Sequence, residues 1–367
     1  SGNAPQVIKA LRRADSLMPS CIRAFGGSIG AVNSVSISPT GRLALSGSGL
    51  GFGSHALRLW DVSTGACLRH FEGHTASIKT TQFSCDERLI LSGGDDDTVR
   101  IWDIESGYGT AVLKGHRTGV HLARFSDDGQ FVLSAAQCEC KLWETANWSC
   151  IHTLQLTSTA REVAFYSDNH LVTCVTEHDI QSWEISPCRH VRSVGTYEYG
   201  AASAAALACN GQYALLVTGE SIWLWDLSDG KPLRRFRGHT GHVNCVAFSP
   251  TGCLAISGDD DNAVRLWETT TGRCLCTLEE QLSSPVTAID IAQNSSIAIS
   301  GSKDGMLRLW DISDAGSSPR ATFVFAQPQS IRNLIESQYR FHALLEEARS
   351  LLRANSPREA AHKVKIA

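Results

Sequence analysis

The sequence predicts an all-β fold, a propeller of repeated short-stranded sheets, on three observations. A tryptophan followed by an acid recurs at Trp60, Trp102, Trp143, Trp183, Trp225, Trp267 and Trp310, at intervals of 40 to 43 residues. Around each mark apolar and polar residues alternate, as in Val99-Arg100-Ile101-Trp102 and Leu307-Arg308-Leu309-Trp310, the period of a half-buried strand. Turn signals such as Ser106-Gly107, Asp229-Gly230 and Ser249-Pro250-Thr251-Gly252 punctuate the runs. Each repeat then holds four short strands, and repeats of this length bury their faces by stacking on their neighbours.

Composition bounds the function. The chain has 367 residues, 43% of them hydrophobic and 19% charged, which is ample for a large core. A net charge of −4 gives no drive toward nucleic acid or anionic membrane. No run of eighteen apolar residues is present for a spanning helix, and the first ten residues carry no signal core. The 13 cysteines are odd in number and scattered, several within apolar runs such as Val243-Asn-Cys245-Val-Ala-Phe248. Within those runs cysteine acts as a small hydrophobe, and the set reads as reduced thiols, which leads us to expect a cytoplasmic protein.

Three Gly-His pairs stand in phase with the tryptophans, in Phe71-Glu-Gly-His74, Leu113-Lys-Gly-His116 and Phe236-Arg-Gly-His239. Together with the Ser-Gly-x-x-Asp turns they make residues 20–315 resemble the WD-repeat, or β-transducin-like, family. The resemblance implies one four-stranded sheet per blade, hence seven blades. Residues 20–26, Ser-Cys-Ile-Arg-Ala-Phe-Gly, resemble Ala66-Cys-Leu-Arg-His-Phe-Glu72 but follow no tryptophan strand. They are expected to close the ring as the outer strand of blade 7, with Ala321-Thr-Phe-Val-Phe325 as the competing candidate.

The resemblance also answers what the aspartate triplets Asp95-Asp96-Asp97 and Asp259-Asp260-Asp261 are for. It implies a buried chain of histidine, serine, aspartate and tryptophan within a blade. The sets are His74, Ser92, Asp96 and Trp102, and His239, Ser257, Asp261 and Trp267. The indole N–H only donates, the hydroxyl relays and the carboxylate only accepts. The triplets differ in register, which argues against a metal site, and none is expected. Blade 1 lacks the histidine and carries a glycine-rich stretch at 49–53, between strands rather than before a helix, so it is no phosphate loop. Blade 3 keeps His116 and Ser134 but has no aspartate at the matching place. In blade 4 Glu177 is expected there. Blades 4 and 5 are the most degenerate.

Flanking helices are expected at both ends. One covers about 4–17 and another about 330–353, where Ile331, Leu334, Ile335, Phe341, Leu345 and Leu352 form an amphipathic stripe. Ser356-Pro357-Arg358-Glu359 has the form of a third helix start. The expected organisation is 1–19 as a linker, 20–319 as the propeller and 320–367 as a helical hairpin cut from a longer polypeptide.

The functional expectation is a non-catalytic interaction scaffold, because no catalytic or metal-ligating constellation stands apart from the repeat pattern and no cofactor motif is present. Carried over by resemblance, the partner-binding residues of the top face are Ser77, Lys79, Asp95, His121, Arg161, His242, Asn244, Asp260, Thr287 and Lys303. This mixed-charge face suits a protein or peptide, with a monomeric chain and neither nucleic acid nor membrane as partner. The Thr-Gly-x-Cys-Leu phrasing resembles bacterial WD-repeat proteins, which implies a segment of a larger signalling or defence protein. The alternative is an enzyme or small-ligand binder using the central channel, since propellers can host chemistry there.

Overall fold

The computed structural model describes residues 20–26, 30–49, 55–166, 170–278 and 284–313. These form seven four-stranded antiparallel sheets, the blades. Blade 2 is typical, with strands Ile78–Phe83, Leu89–Gly94, Thr98–Asp103 and Gly109–Lys114 running from the inside outward. The other inner strands are Val32–Ile37, Leu122–Phe125, Ala160–Tyr166, Ala204–Leu207, Val243–Phe248 and Val286–Ile291, in blades 1 and 3 to 7. All seven tryptophan–acid marks lie at the end of a third strand, and five of the seven indoles are buried almost completely.

The ring closes with the N-terminal strand. Ser20–Gly26 pairs antiparallel with Met306–Asp311, in a register running from Ser20 opposite Asp311 to Gly26 opposite Met306. Blade 7 thereby gains its fourth strand from the other end of the propeller, and the exposed edge of an open array disappears. The competing segment 321–325 and the expected helices at 4–17, 330–353 and 356 onward lie outside the described residues.

A Ser-Gly pair in the second strand joins each of four blades to the next. Gly47, Gly93, Gly258 and Gly301 follow Ser46, Ser92, Ser257 and Ser300 directly. A Cβ added at these glycines would lie 2.6 Å from Ile78, 2.8 Å from Val120, 2.4 Å from Val286 and 2.4 Å from Val32. Each of those four side chains belongs to the following blade and is wholly buried. The serine therefore serves its own blade's tryptophan while the missing side chain admits the neighbour's apolar residue.

A second inter-blade device lies at the rim. Arg23, Arg69, Arg192 and Arg234 stand on outer strands and donate to carbonyls in a turn of the next blade: Thr64 at 2.6 Å, Ser106 at 3.0 Å, Leu227 at 2.6 Å and Thr271 at 2.6 Å. A one-residue register shift precedes each arginine, where the strand bulges. In four blades a cysteine occupies that bulge. The thiols of Cys21, Cys67, Cys150 and Cys274 donate to the carbonyl two residues on, at 3.3 to 3.7 Å. These cysteines satisfy local backbone at the rim, while Cys21 and Cys274 also pack against the core, as does Cys245 in its apolar run. Cys140 and Cys174 are the fully buried ones.

Candidate functional site: the top face and the channel

The inner strands begin, and the turns between second and third strands lie, on one face of the ring. Beneath that face three blades carry a complete buried polar chain. In blade 2, Trp102 Nε1 donates to Ser92 Oγ at 2.8 Å, Ser92 Oγ meets His74 Nε2 at 2.8 Å, and His74 Nδ1 meets Asp96 Oδ2 at 2.8 Å. Burial holds the imidazole pKa below its usual value. Burial alone would push the Asp96 carboxyl up, but donation from the Thr98 hydroxyl and the Thr75 amide holds it down. The ring is therefore neutral, with its proton on Nδ1 facing a charged carboxylate, and Nε2 accepts from the serine hydroxyl.

Blade 6 builds the chain differently from the expectation. Trp267 Nε1 donates to Ser257 Oγ at 2.8 Å and Ser257 meets His239 at 2.6 Å, but the carboxylate on His239 Nδ1 is Asp259, at 2.6 Å. Asp261, expected in that role, instead accepts from the Thr240 hydroxyl at 2.6 Å. The reason is visible in blade 2, where Gly94 stands at the position of Asp259. A Cβ on Gly94 would point 3.2 Å from His74 Nδ1. An aspartate there reaches the imidazole first, and the turn further on is left at the surface.

Blades 3 and 4 correct the expectation again. His116 Nδ1 meets Glu139 Oε1 at 2.8 Å, and Trp143, Ser134 and His116 complete the chain. In blade 4 the buried acid is Asp179. It accepts from Thr157 Oγ1 at 2.8 Å, Gln181 Nε2 at 2.9 Å and Ser193 Oγ at 3.2 Å, and from the Thr176 hydroxyl. Glu177, expected to fill that place, pairs with Arg161 at 2.6 Å on the surface. In both blades the turn is one residue shorter than in blade 2: Ser134 lies opposite Lys141 and Cys174 opposite Gln181, against Ser92 opposite Arg100. The acid then comes from the returning strand, where counting forward from the serine does not look. Trp183 and Trp225, in blades 4 and 5, have no partner for their buried indole N–H, because Cys174 and Leu216 replace the serine.

The ten residues expected on the top face sort into two groups. Lys79 pairs with Asp95 at 3.3 Å, and Arg161 with Glu177. Asn244 donates to Asp260 at 2.7 Å, and Asn33 donates to the hydroxyl of buried Ser77 at 2.9 Å, across the blade 1–2 boundary. Thr287 Oγ1 donates to the Val32 carbonyl across the closure seam. His121 is half-buried, and burial lowers its pKa. His242 and Lys303 are exposed. Sequence reasoning missed a further pair: Tyr197, 67% exposed, stacks on His178 at 5.2 Å beside Arg161 and Glu177. The degenerate blades hid it, since neither residue falls at a repeat position.

Below the face the inner strands surround a cavity of about 580 Å³. Asn33, Lys79, His121, Arg161, Ser203, Asn244 and Thr287 contribute to its upper wall. Three residues further along each strand the sequence reads Ser36, Gln82, Arg124, Ala164, Ala206, Ala247 and Asp290, all in the cavity wall. Three consecutive blades thus present alanine, and the remaining four present polar groups. Arg124 pairs with Glu162 at 3.2 Å. Asp290 accepts the backbone N–H of Ile37 and of Ile291, each at 2.9 Å. Burial pushes its carboxyl up to about 6, against the pull of those amides and of Arg124.

Among the described residues no group of three or more histidine, cysteine or acidic side chains is arranged to hold a metal ion. Residues 19–61, 65–103, 107–144, 230–268 and 272–311 match the WD40 repeat, described as WD domain, G-beta repeat, over more than half of the chain. The unmatched interval, 145–229, contains most of blades 4 and 5, where two tryptophans lack their serine. The chain is 26% identical over 135 residues to serine-threonine kinase receptor-associated protein of Gallus gallus, covering 36% of this chain and 38% of that protein. It is 24% identical over 133 residues to apoptotic protease-activating factor 1 of Rattus norvegicus, covering 36% and 10%. It is 41% identical over 59 residues to small ribosomal subunit protein RACK1y of Oryza sativa subsp. japonica, covering 16% and 18%. The matched region spans well under half the length of each relative. With seven four-stranded blades, their tryptophan marks and the in-phase repeat matches, the chain belongs to the WD domain, G-beta repeat family.

Proposed function

We propose that the protein is a non-catalytic interaction scaffold that holds a protein or peptide on the top face of the propeller. The observation that carries this reading is the organisation of that face. Lys79–Asp95, Arg161–Glu177 and Asn244–Asp260 pair within the ring, so their charges are fixed in place before any partner arrives. Beside them His242, Lys303 and the Tyr197–His178 stack remain open to solvent. A rigid mixed-charge rim around an exposed aromatic has the make-up of a protein-binding surface. Both charge signs are interleaved, which argues against a polyphosphate. The relatives named for receptor association and protease activation support an interaction role. The proposal extends to a cytoplasmic monomer serving a signalling assembly, of bacterial type by the phrasing of its repeats.

The test compares the wild-type chain with a variant carrying Tyr197→Ala, His242→Ala and Lys303→Glu. These positions lie on the face without serving the internal pairs. A partner captured from cytosolic extract by the wild type and lost by the equally folded variant supports the reading. Capture that persists unchanged moves the binding surface off this face.

A further inference from the structure

The channel runs below the face, and its wall is lined by residues of all seven inner strands. Three features of its wall converge. The first is charge. The Arg124 guanidinium is matched by Glu162, whereas among the described residues no side chain forms an ion pair with Asp290. Its two oxygens are held by amides of two adjoining blades, so the carboxylate is fixed in the wall, with Arg124 acting on it without forming an ion pair. The second is shape. Ala164, Ala206 and Ala247 line the wall in three consecutive blades, where the other blades carry Ser36, Gln82, Arg124 and Asp290. The third is an unmet hydroxyl, which can accept from a cationic N–H. Tyr166, only 9% exposed, is also in the wall, and its hydroxyl has no hydrogen-bond partner. A buried polar atom without a partner is costly, and a ligand is one means of satisfying it.

We infer that the channel binds a free linear alkylammonium, its cation at Asp290 and its chain along the alanine wall. The chemistry selects this class. An anion would meet the Asp290 carboxylate and an arginine already ion-paired with Glu162. A neutral apolar molecule would leave the Asp290 charge unmet and the Tyr166 hydroxyl unsatisfied. A slender chain with an ammonium at one end meets the carboxylate there and offers its methylenes to the alanines. The excess charge of the pair-matched wall is a single negative one at this depth, so one ammonium neutralises it.

The probe is n-butylammonium, titrated calorimetrically into the whole chain with 1-butanol as the neutral isostere. Saturable one-to-one binding is expected with a dissociation constant of about a millimolar or tighter, and none with the alcohol. Asp290→Asn, which removes the charge and keeps an acceptor, is expected to weaken binding by about tenfold or more. Ala164→Leu, which fills the alanine wall and leaves every charge in place, is expected to do the same, and it decides the matter should the Asp290 variant not fold. Arg88→Gln, exposed and outside the cavity wall, is expected to change nothing. Absence of saturable binding to the wild type at about 10 mM overturns the inference. So does alcohol binding as tight as the ammonium's, or binding indifferent to both Asp290→Asn and Ala164→Leu.

Discussion

Asp259 stands 2.6 Å from the Nδ1 of His239, in the place that Gly94 holds in blade 2. Two blades with the same triplet thus use different members of it, and mutation separates them. Asp259 is fully buried and also accepts the Ala263 amide at 2.8 Å, so Asp259→Ala leaves an imidazole N–H and an amide without partners. The expected loss is about 2–5 kcal/mol in urea unfolding. Asp261→Ala removes one surface hydroxyl contact and is expected to cost within about 0.5 kcal/mol. In blade 2 the middle residue is the sensitive one, so Asp96→Ala is expected to cost far more than Asp97→Ala.

This pair also shows where sequence reading stops. The tryptophan period, the strand alternation and the Gly-His pairs are local, and they made the blade number and the closing strand legible. The choice among Asp259, Asp260 and Asp261 is not local, because it depends on which Cβ points at an imidazole supplied from 20 residues earlier. Glu139 and Asp179 were hidden for a related reason: a turn shortened by one residue moves the acid from the outgoing to the returning strand. On the face, most of the ten positions belong to the upper wall or its rim, but their pairing with each other follows from blade-to-blade proximity. Tyr197 and His178 lie in degenerate repeats, where no register exists to count from.

Stability is expected to depend on pH through the three buried imidazoles. His74, His116 and His239 have lowered pKa values, burial being the main cause in each. Between those values and the unfolded value near 6.5 the unfolded chain binds more protons. Stability therefore rises with pH across that window, is complete above it, and is lost as pH falls. Each histidine contributes a slope of up to about 1.4 kcal/mol per pH unit. Asp290 works in the opposite sense. Its carboxyl is raised from 3.8 to about 6, so the folded chain holds the extra proton there and stability falls as pH rises through that interval. His121, whose pKa burial also lowers, adds to the imidazoles, and Glu162, whose carboxyl burial raises, adds to Asp290. Four imidazoles outnumber two carboxyls, so the urea midpoint is expected to drop from pH 7.5 to 5.5. Asp290→Asn removes one opposing contribution and is expected to make the drop steeper.

The glycines of the Ser-Gly pairs are expected to be intolerant of any side chain, most of all at the closure. Gly301 faces Val32 across the boundary between blade 7 and blade 1, and blade 7 is the blade whose outer strand, Ser20–Gly26, comes from the other end of the chain and is joined to Met306–Asp311 by pairing alone. Gly301→Val forces the two blades apart or drives Val32 off its rotamer, at about 1–3 kcal/mol. The same substitution shape is already present at blade 4, where Val175 occupies the matching position, so the penalty comes from the facing residue and not from strand geometry. Urea unfolding of Gly301→Val alone and with Val32→Ala checks this. The double variant is expected to recover part of the loss, and failure to recover any would mean that the contact is not what limits the seam.

Blade 5 is expected to open locally before its neighbours. Its tryptophan, Trp225, is buried with no partner for the indole N–H, and Leu216 stands where other blades have serine. Tyr199 packs edge-on to both Trp223 and Trp225, at 5.0 and 5.2 Å, which replaces a hydrogen-bonded chain by ring contacts. Its inner strand is Ala204-Ala-Ala-Leu207, with little apolar surface to bury. Blade 4 also has an orphaned indole, on Trp183, but it keeps a buried acid with several donors at Asp179. An unsatisfied buried donor costs about 1–3 kcal/mol, which corresponds to roughly ten- to hundredfold faster exchange through local opening. Native-state hydrogen exchange is therefore expected to rank second-strand amides as blade 5 fastest, blade 4 intermediate and blade 2 slowest. Equal protection in blades 2 and 5 would show that the ring opens only as a whole, and that the buried polar chains set the identity of each blade without setting its local stability.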